Sequence, residues 1–265
     1  MRPDDPESMK KHAGRYTGGT AIVVLGGYSA KNWESLYAKI QPDVILIGNG
    51  VNSQIQNANY WLCAENMTYA NNMAMQGDPD NTKKMEMFHR EAGAKVKLIS
   101  HRSWGLLRDT SNCISIRRDK THGFGPGKVS DYFSFREYGE GFLNGWLFNH
   151  REAGKPVHVG TVGTHLLHLA GILGCAEVHT IGFDLIFKDN RAHDVKHHHW
   201  YDYPTYDIDI FRKSDMFIDY KGLKTQWVWI ETMLFLEAIQ PLFVRDGLKW
   251  YDHSDGLLQM EGIAQ

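Results

Sequence analysis

Short apolar runs, each closed by small or polar residues, recur along this 265-residue chain. The first is Ala21-Ile-Val-Val-Leu25, closed by Gly26-Gly27-Tyr28-Ser29. Runs of this length without polar interruption predict strands buried on both faces, as in parallel sheets. Over 30–40 the spacing changes: Trp33, Leu36, Tyr37 and Ile40 predict a helix, which Pro42 stops. Asp43-Val-Ile-Leu-Ile47 is a second strand, closed by Gly48-Asn49-Gly50. Strand, glycine turn, helix and strand make one α/β unit.

The pattern repeats less cleanly downstream. Tyr60–Cys63, Lys95–Ile99 and Cys113–Ile116 predict strands, and Lys83–Ala92 a helix. Glycine and proline across 119–130 predict a loop. The aromatic stretch 136–151 has helical character weakened by Gly139, Gly141 and Gly145. A clearer unit follows. Pro156–Val159 predicts a strand, Thr161-Val162-Gly163-Thr164 a turn, and His165–Leu173 a buried helix ended by Gly174. Glu177–Ile181 predicts the next strand, closed by Gly182-Phe183-Asp184. Residues 186–219 form a polar and aromatic excursion of a length that is usually functional, here lid-like. Leu223–Ala238 predicts a helix with a wide apolar face that includes Leu234. Leu248–Tyr251 predicts a last strand, with Asp252-His253-Ser254 at its tip.

Alternating strands and helices predict an α/β fold, a mostly parallel sheet with helices on both faces. Residues 1–19 read as a flexible arm and 20–265 as one domain, without repeat or linker. The formal net charge of −2 provides no broad basic field for a nucleic-acid backbone. Cys63, Cys113 and Cys175 form no CxxC pair, so a structural zinc site is not predicted, and their odd number fits a reducing compartment. No apolar run approaches the roughly 20 residues of a membrane span, and the polar N-terminal residues lack a signal's apolar segment. The expectation is a cytoplasmic protein.

In open parallel sheets, ligands settle beyond the carboxyl ends of the strands. The candidate binding residues are therefore Gly26, Gly27, Tyr28, Ser29, Asn49, Glu65, Asn66, Thr161, Val162, Gly163, Thr164, Asp184 and Ser254, with His253 beside them. Glycines let backbone N–H groups approach a phosphate, and a following helix turns its positive end toward it. Asn and Ser can bond a base or ribose, and Asp184 can accept from ribose hydroxyls. The first loop is neither GxGxxG nor GxxxxGK[ST], and glycines also close ordinary turns. In the excursion, a histidine of 197–199 is a candidate general base. Asp207 and Asp209 have the spacing of a divalent-metal pair, Mg²⁺ or Mn²⁺. A purely solvated lid is the competing reading. His165 and His168 lie three apart on an apolar helix; His168 reads as core, and His165, nearer the helix start, as ligand-facing. Cys63 reads as core.

The stretch Thr161-Val-Gly-Thr-His-Leu-Leu-His-Leu-Ala-Gly-Ile-Leu-Gly-Cys-Ala-Glu-Val-His-Thr-Ile-Gly-Phe-Asp-Leu185 resembles the bacterial sialyltransferases of glycosyltransferase family 42. It resembles also the wider group that includes flagellin glycosyltransferase-like proteins and archaeal 6-hydroxymethylpterin pyrophosphokinases. Leu25-Gly-Gly-Tyr-Ser29 looks like that family's Gly-x-Gly-Pro-Ser turn, with Tyr28 in place of proline. Ser254-Asp-Gly-Leu-Leu258 resembles its closing Ser-Leu-Leu. The resemblance spans about 20–258, and only 161–185 is specific.

The resemblance implies a Rossmann-like sheet with a lid and a nucleotide-activated sugar donor, typically a cytidine monophosphate sugar. It places the first loop, Asn49, Thr161, Val162, Gly163 and Asp184 around the nucleotide. It implies metal-free catalysis by a lid histidine just before the penultimate helix. Here that place holds Asp219-Tyr220-Lys221, so His198, His199 and Tyr220 become the catalytic candidates. The leading expectation is glycosyl transfer to an acceptor hydroxyl on a glycan, protein or modified nucleobase. A Mg²⁺-dependent diphosphotransferase acting on a pterin-like alcohol is the second reading, with Asp184, Asp207 or Asp209 as metal ligands. A non-catalytic nucleotide or glycan binder is the third. Oligomeric state is left open, a homo-oligomer included.

Overall fold

The computed structural model describes residues 11–49, 51, 55, 57–63, 94–100, 113–119, 146–148, 151–152, 155–156, 161–187, 217–245 and 247–260. The strands are β1 (Thr20–Val24), β2 (Val44–Gly48), β3 (Tyr60–Cys63), β4 (Val96–Ser100), β5 (Cys113–Asp119) and β6 (Trp146–Phe148). They continue with β7 (Arg151–Glu152), β8 (Lys155–Pro156), β9 (Glu177–Ile181), β10 (Phe217–Tyr220), β11 (Leu223–Gln226) and β12 (Lys249–Asp252). The helices are α1 (Trp33–Ile40), entered through a 3-10 turn at Tyr28–Asn32, α2 (Val162–Ile172), α3 (Trp227–Arg245) and α4 (Leu257–Met260).

Eight strands form one sheet in the order β12-β9-β1-β2-β3-β4-β5-β6, and every pairing within it is parallel. The continuous apolar runs are explained by its two covered faces. Alternate residues of β1 enter different cores: Ala21 and Val23 one, as does Leu25 just after the strand, and Ile22 and Val24 the other. The first core takes Leu166, Leu169 and Ala170 of α2 with Ile230, Met233, Leu236 and Phe243 of α3. The second takes Leu36, with Trp33 and Ile40 packed against it, from α1. Burying each such side chain is worth about 1.5–3 kcal/mol. This bears out the α/β expectation.

Three expectations change. Residues 11–19 are not a loose arm: the amides of Gly14, Tyr16 and Gly18 donate to the carbonyls of Ile172, Leu173 and Gly174. They satisfy acceptors that the end of α2 leaves over. Leu223–Gln226 is a strand, not the start of a helix. It pairs antiparallel with β10 across Lys221 and Gly222, both left-handed (φ 52° and 83°), the geometry of a two-residue hairpin. The helix that follows runs on to Arg245, and Leu234 lies on its exposed side. Lys155-Pro156 pairs only with Arg151-Glu152 among the described residues, outside the main sheet. The expected helix at 83–92, the loop over 120–130 and residues 157–159 lie outside the described residues, as does most of 186–219.

Candidate functional site

From β1 the chain lays β2 to β6 on one side, then returns through α2 to place β9 and β12 on the other. The crevice at such a reversal, at the carboxyl ends of the strands, is where parallel sheets admit ligands. Here it lies between β1 and β9. Its walls are the loop after β1, the end of β2, the first turn of α2 and the loop after β9.

The loops after β1 and β9 are knitted to each other. Gly27 N–H donates to the Gly182 carbonyl (2.9 Å), and Gly182 N–H to Ser29 Oγ (2.9 Å). Ser29 N–H donates to Asp184 Oδ2 (3.0 Å), and Asp255 N–H to Asp184 Oδ1 (2.9 Å). Ala30 N–H returns to the Gly27 carbonyl. A β-carbon on Gly27 would strike Asp184 Oδ2 and the Gly182 carbonyl. Gly182 itself is left-handed, φ 79°, which favours glycine. Two expectations are corrected by this knot. The amides of Gly27, Ser29 and Ala30 are spent inside the protein and do not line a phosphate cradle. Asp184 is 2 % exposed with both oxygens on backbone amides, so it ties loops together and faces neither ribose nor metal. Burial pushes its carboxyl up, and the Ser29 and Asp255 hydrogen bonds oppose that shift.

The first turn of α2 stands differently. Its N-cap, Thr161, is extended and makes no capping hydrogen bond; its hydroxyl lies 3.1 Å from that of Thr164. The turn is seated on small residues: Gly48 faces Val162, and Gly163 faces the Leu25 and Phe183 side chains. The end of β1 and the start of α2 therefore share one rim, with Leu25 and Phe183 packed beneath them. Asn49, beside Gly48, has φ 45°; its carbonyl accepts from Trp61 Nε1 (2.7 Å), while its side-chain oxygen is buried without a hydrogen bond among the described residues.

On the far side of β9 a second network supports this floor. Phe183 N–H donates to Ser254 Oγ (2.8 Å), and Ser254 Oγ to Asp252 Oδ1 (2.8 Å). Thr180 Oγ1 donates to the same Asp252 oxygen (2.6 Å) and accepts from Trp250 Nε1 (3.0 Å). Ser254 is fully buried with both roles used, which corrects its expected place among the nucleotide contacts. Burial pushes Asp252 up to about 6, further raised by Asp184 and opposed by the Thr180 and Ser254 bonds. His165 and His168 are both core residues, each 1 % exposed. His168 Nδ1 donates to the Thr164 carbonyl (2.7 Å), and burial lowers this ring to about 4. Cys63 is buried.

The structure thus gathers Gly26, Gly27, Tyr28, Ser29, Asn49, Thr161, Val162, Gly163, Thr164, Asp184 and Ser254 at one edge of the sheet. Tyr28 is half-buried, with Lys31 Nζ 5.2 Å above its ring. Tyr220 ends β10, its ring packed on the core beneath Lys221 Nζ. Its hairpin is tied to the stretch after Asp184 through Phe187 N–H to the Lys224 carbonyl and Thr225 Oγ1 to the Leu185 carbonyl. Glu65, Asn66, His198, His199, Asp207 and Asp209 lie outside the described residues. Among the described residues no three His, Cys, Asp or Glu side chains group as metal ligands, and no helix is long and apolar enough to cross a membrane. Sequence reasoning missed Asp252 as a buried carboxylate. The available signal was its place in Trp250-Tyr-Asp252, where alternation carries it to the buried face beside Trp250. No family model matches the chain, and no curated protein matches it.

Proposed function

We propose that the chain binds a nucleotide-activated sugar at the β1–β9 crevice and transfers the sugar to an acceptor hydroxyl. In this reading the sheet is Rossmann-like and the segment around 186–219 is its lid. One observation carries it: the start of α2, where Thr161 makes no side-chain capping hydrogen bond, packs beside the end of β2, where the Asn49 side-chain oxygen has no hydrogen bond among the described residues. The resemblance of 161–185 to family 42 glycosyltransferases supports it.

The phosphate is assigned to the amides of Val162, Gly163 and Thr164 rather than to the loop after β1. A helix start supplies both N–H donors and positive partial charge to an anion. Asn49 takes a donor from the base or ribose; a buried acceptor left unmatched costs about 1–3 kcal/mol, which such a contact would recover. His198 or His199 removes the acceptor's proton as its oxygen attacks the anomeric carbon. The bond to the nucleotide phosphate breaks, and the same amides stabilise the leaving charge. Tyr220, on the hairpin joined to the Asp184 loop, is the alternative catalytic group.

A thermal-shift series with CMP, UDP, GDP and ATP, each with and without Mg²⁺, tests the reading, because a ligand of the native state raises the melting temperature. A nucleotide shift without Mg²⁺, with transfer lost but binding kept in the His198→Ala/His199→Ala double variant, supports it. Stabilisation by ATP alone and only with Mg²⁺ would support diphosphoryl transfer instead. Binding without turnover of any nucleotide sugar would leave a non-catalytic binder.

A further inference from the structure

Two imidazoles from neighbouring strands meet outside the crevice. His179 lies in β9 and His253 follows β12. His179 Nδ1 and His253 Nε2 are 2.9 Å apart, with ring planes 20° apart and centroids 5.2 Å apart. The rings are therefore edge to edge and nearly coplanar, as a direct N–H···N bond requires. Such a bond holds one proton between its two nitrogens, one ring donating and the other accepting. With both nitrogens protonated each becomes a donor, and the bond cannot exist.

The surroundings restrict how the rings could part. The Tyr251 ring stacks on His179 at 4.9 Å and 16°, so His179 cannot turn away and keep that contact. Lys39 of α1 opposes charge on both rings, Glu177 of β9 favours it on His179, and Lys249 of β12 holds Glu177 at 3.3 Å. Asp252 and Asp184 are the nearby carboxylates of the floor network.

His253 opens the segment that supports the crevice floor. Its own N–H donates to the Thr180 carbonyl (2.8 Å). Ser254 then receives the Phe183 amide, the Asp255 amide reaches Asp184 Oδ1, and the Leu257 amide reaches the Asp184 carbonyl (3.0 Å).

We propose that the His179–His253 pair is a proton-operated latch: with one shared proton it holds residues 253–257 against β9, and with two it parts and loosens their grip on the Phe183–Asp184 loop. The crevice then slackens in acid while the central strands stay paired. The inference does not depend on what the crevice binds. One protonated ring still donates to its neutral neighbour, so release needs both rings protonated; burial lowers both, His179 to about 4, so that second proton is taken up only on the acid side of neutrality.

Nuclear magnetic resonance on the ¹⁵N-labelled full chain tests this. At neutral pH an N–N coupling across the hydrogen bond should join His179 Nδ1 to His253 Nε2; separate rings with independent titrations would overturn the pairing. Amide-exchange protection of Phe183 and Asp255, taken relative to Val23, should fall about tenfold between neutrality and acid below about pH 4. Asp184 and Asp252 titrate in the variants as well, so the comparison isolates the pair. In His179→Gln, and independently in His253→Gln, the protection ratio should fall clearly less over the same range than in the parent chain. An equal fall in both variants, or none in the parent chain, refutes the latch.

Discussion

Replacing Asp252 by Asn should make the protein less sensitive to a rise in pH from about 4 to neutrality. Asp252 is 4 % exposed, and one carboxylate oxygen accepts from Thr180 and Ser254 while the other has no hydrogen bond among the described residues. Its folded-state value of about 6 stands about two units above the ordinary 3.8. The shift is upward, so stability is fully present below the unfolded value and is lost as pH rises through about 6. At about 1.4 kcal/mol per unit, ionisation costs about 3 kcal/mol between pH 4 and neutrality. Asn keeps an acceptor oxygen for Thr180 and Ser254 and carries no charge. Its amide nitrogen inherits the unmatched position, a cost of about 1–3 kcal/mol that does not change with pH. Urea unfolding from about pH 4 to about pH 8 on both proteins separates these effects. The stability of Asp252→Asn minus that of the parent should rise by roughly 2–3 kcal/mol over that range, whatever its value at acid pH. A difference that stays flat, or falls with pH, refutes the reasoning.

Gly27→Ala should destabilise by about 2–4 kcal/mol in denaturant titration, because its β-carbon meets a carboxylate oxygen and a carbonyl that are both hydrogen-bonded in place. An effect below about 0.5 kcal/mol would mean that the two loops are not packed as described. Asn49→Gly should change stability by less than about 1 kcal/mol, since φ 45° suits glycine, yet weaken nucleotide binding about tenfold or more by calorimetry. Unchanged affinity would remove Asn49 from the site. Deleting residues 1–18 should cost about 2–4 kcal/mol by releasing three carbonyls at the end of α2 and the Tyr16 packing; an unaltered melting curve would restore the loose-arm reading.

The sheet was legible in the chain because burial on both faces leaves a signature that survives in one dimension. Ala21–Leu25, Asp43–Ile47 and Tyr60–Cys63 have no polar alternation, and β1, β2 and β3 divide their residues between two cores. Glycines at strand ends also marked the edge where the candidate residues converge. Local pattern misled at 223–226, where the apolar character of the following helix masked a four-residue strand. The Lys221-Gly222 turn, which needs two left-handed residues, was the only local clue. What each candidate does at that edge was decided by tertiary contacts alone. Asp184, Ser29 and Ser254 have the chemistry of ligand contacts, yet their partners lie 155, 153 and 71 residues away in the chain. A side chain's hydrogen-bonding capacity is written in its type, but whether that capacity is spent on the protein or left for a ligand depends on which distant amides the fold brings within reach.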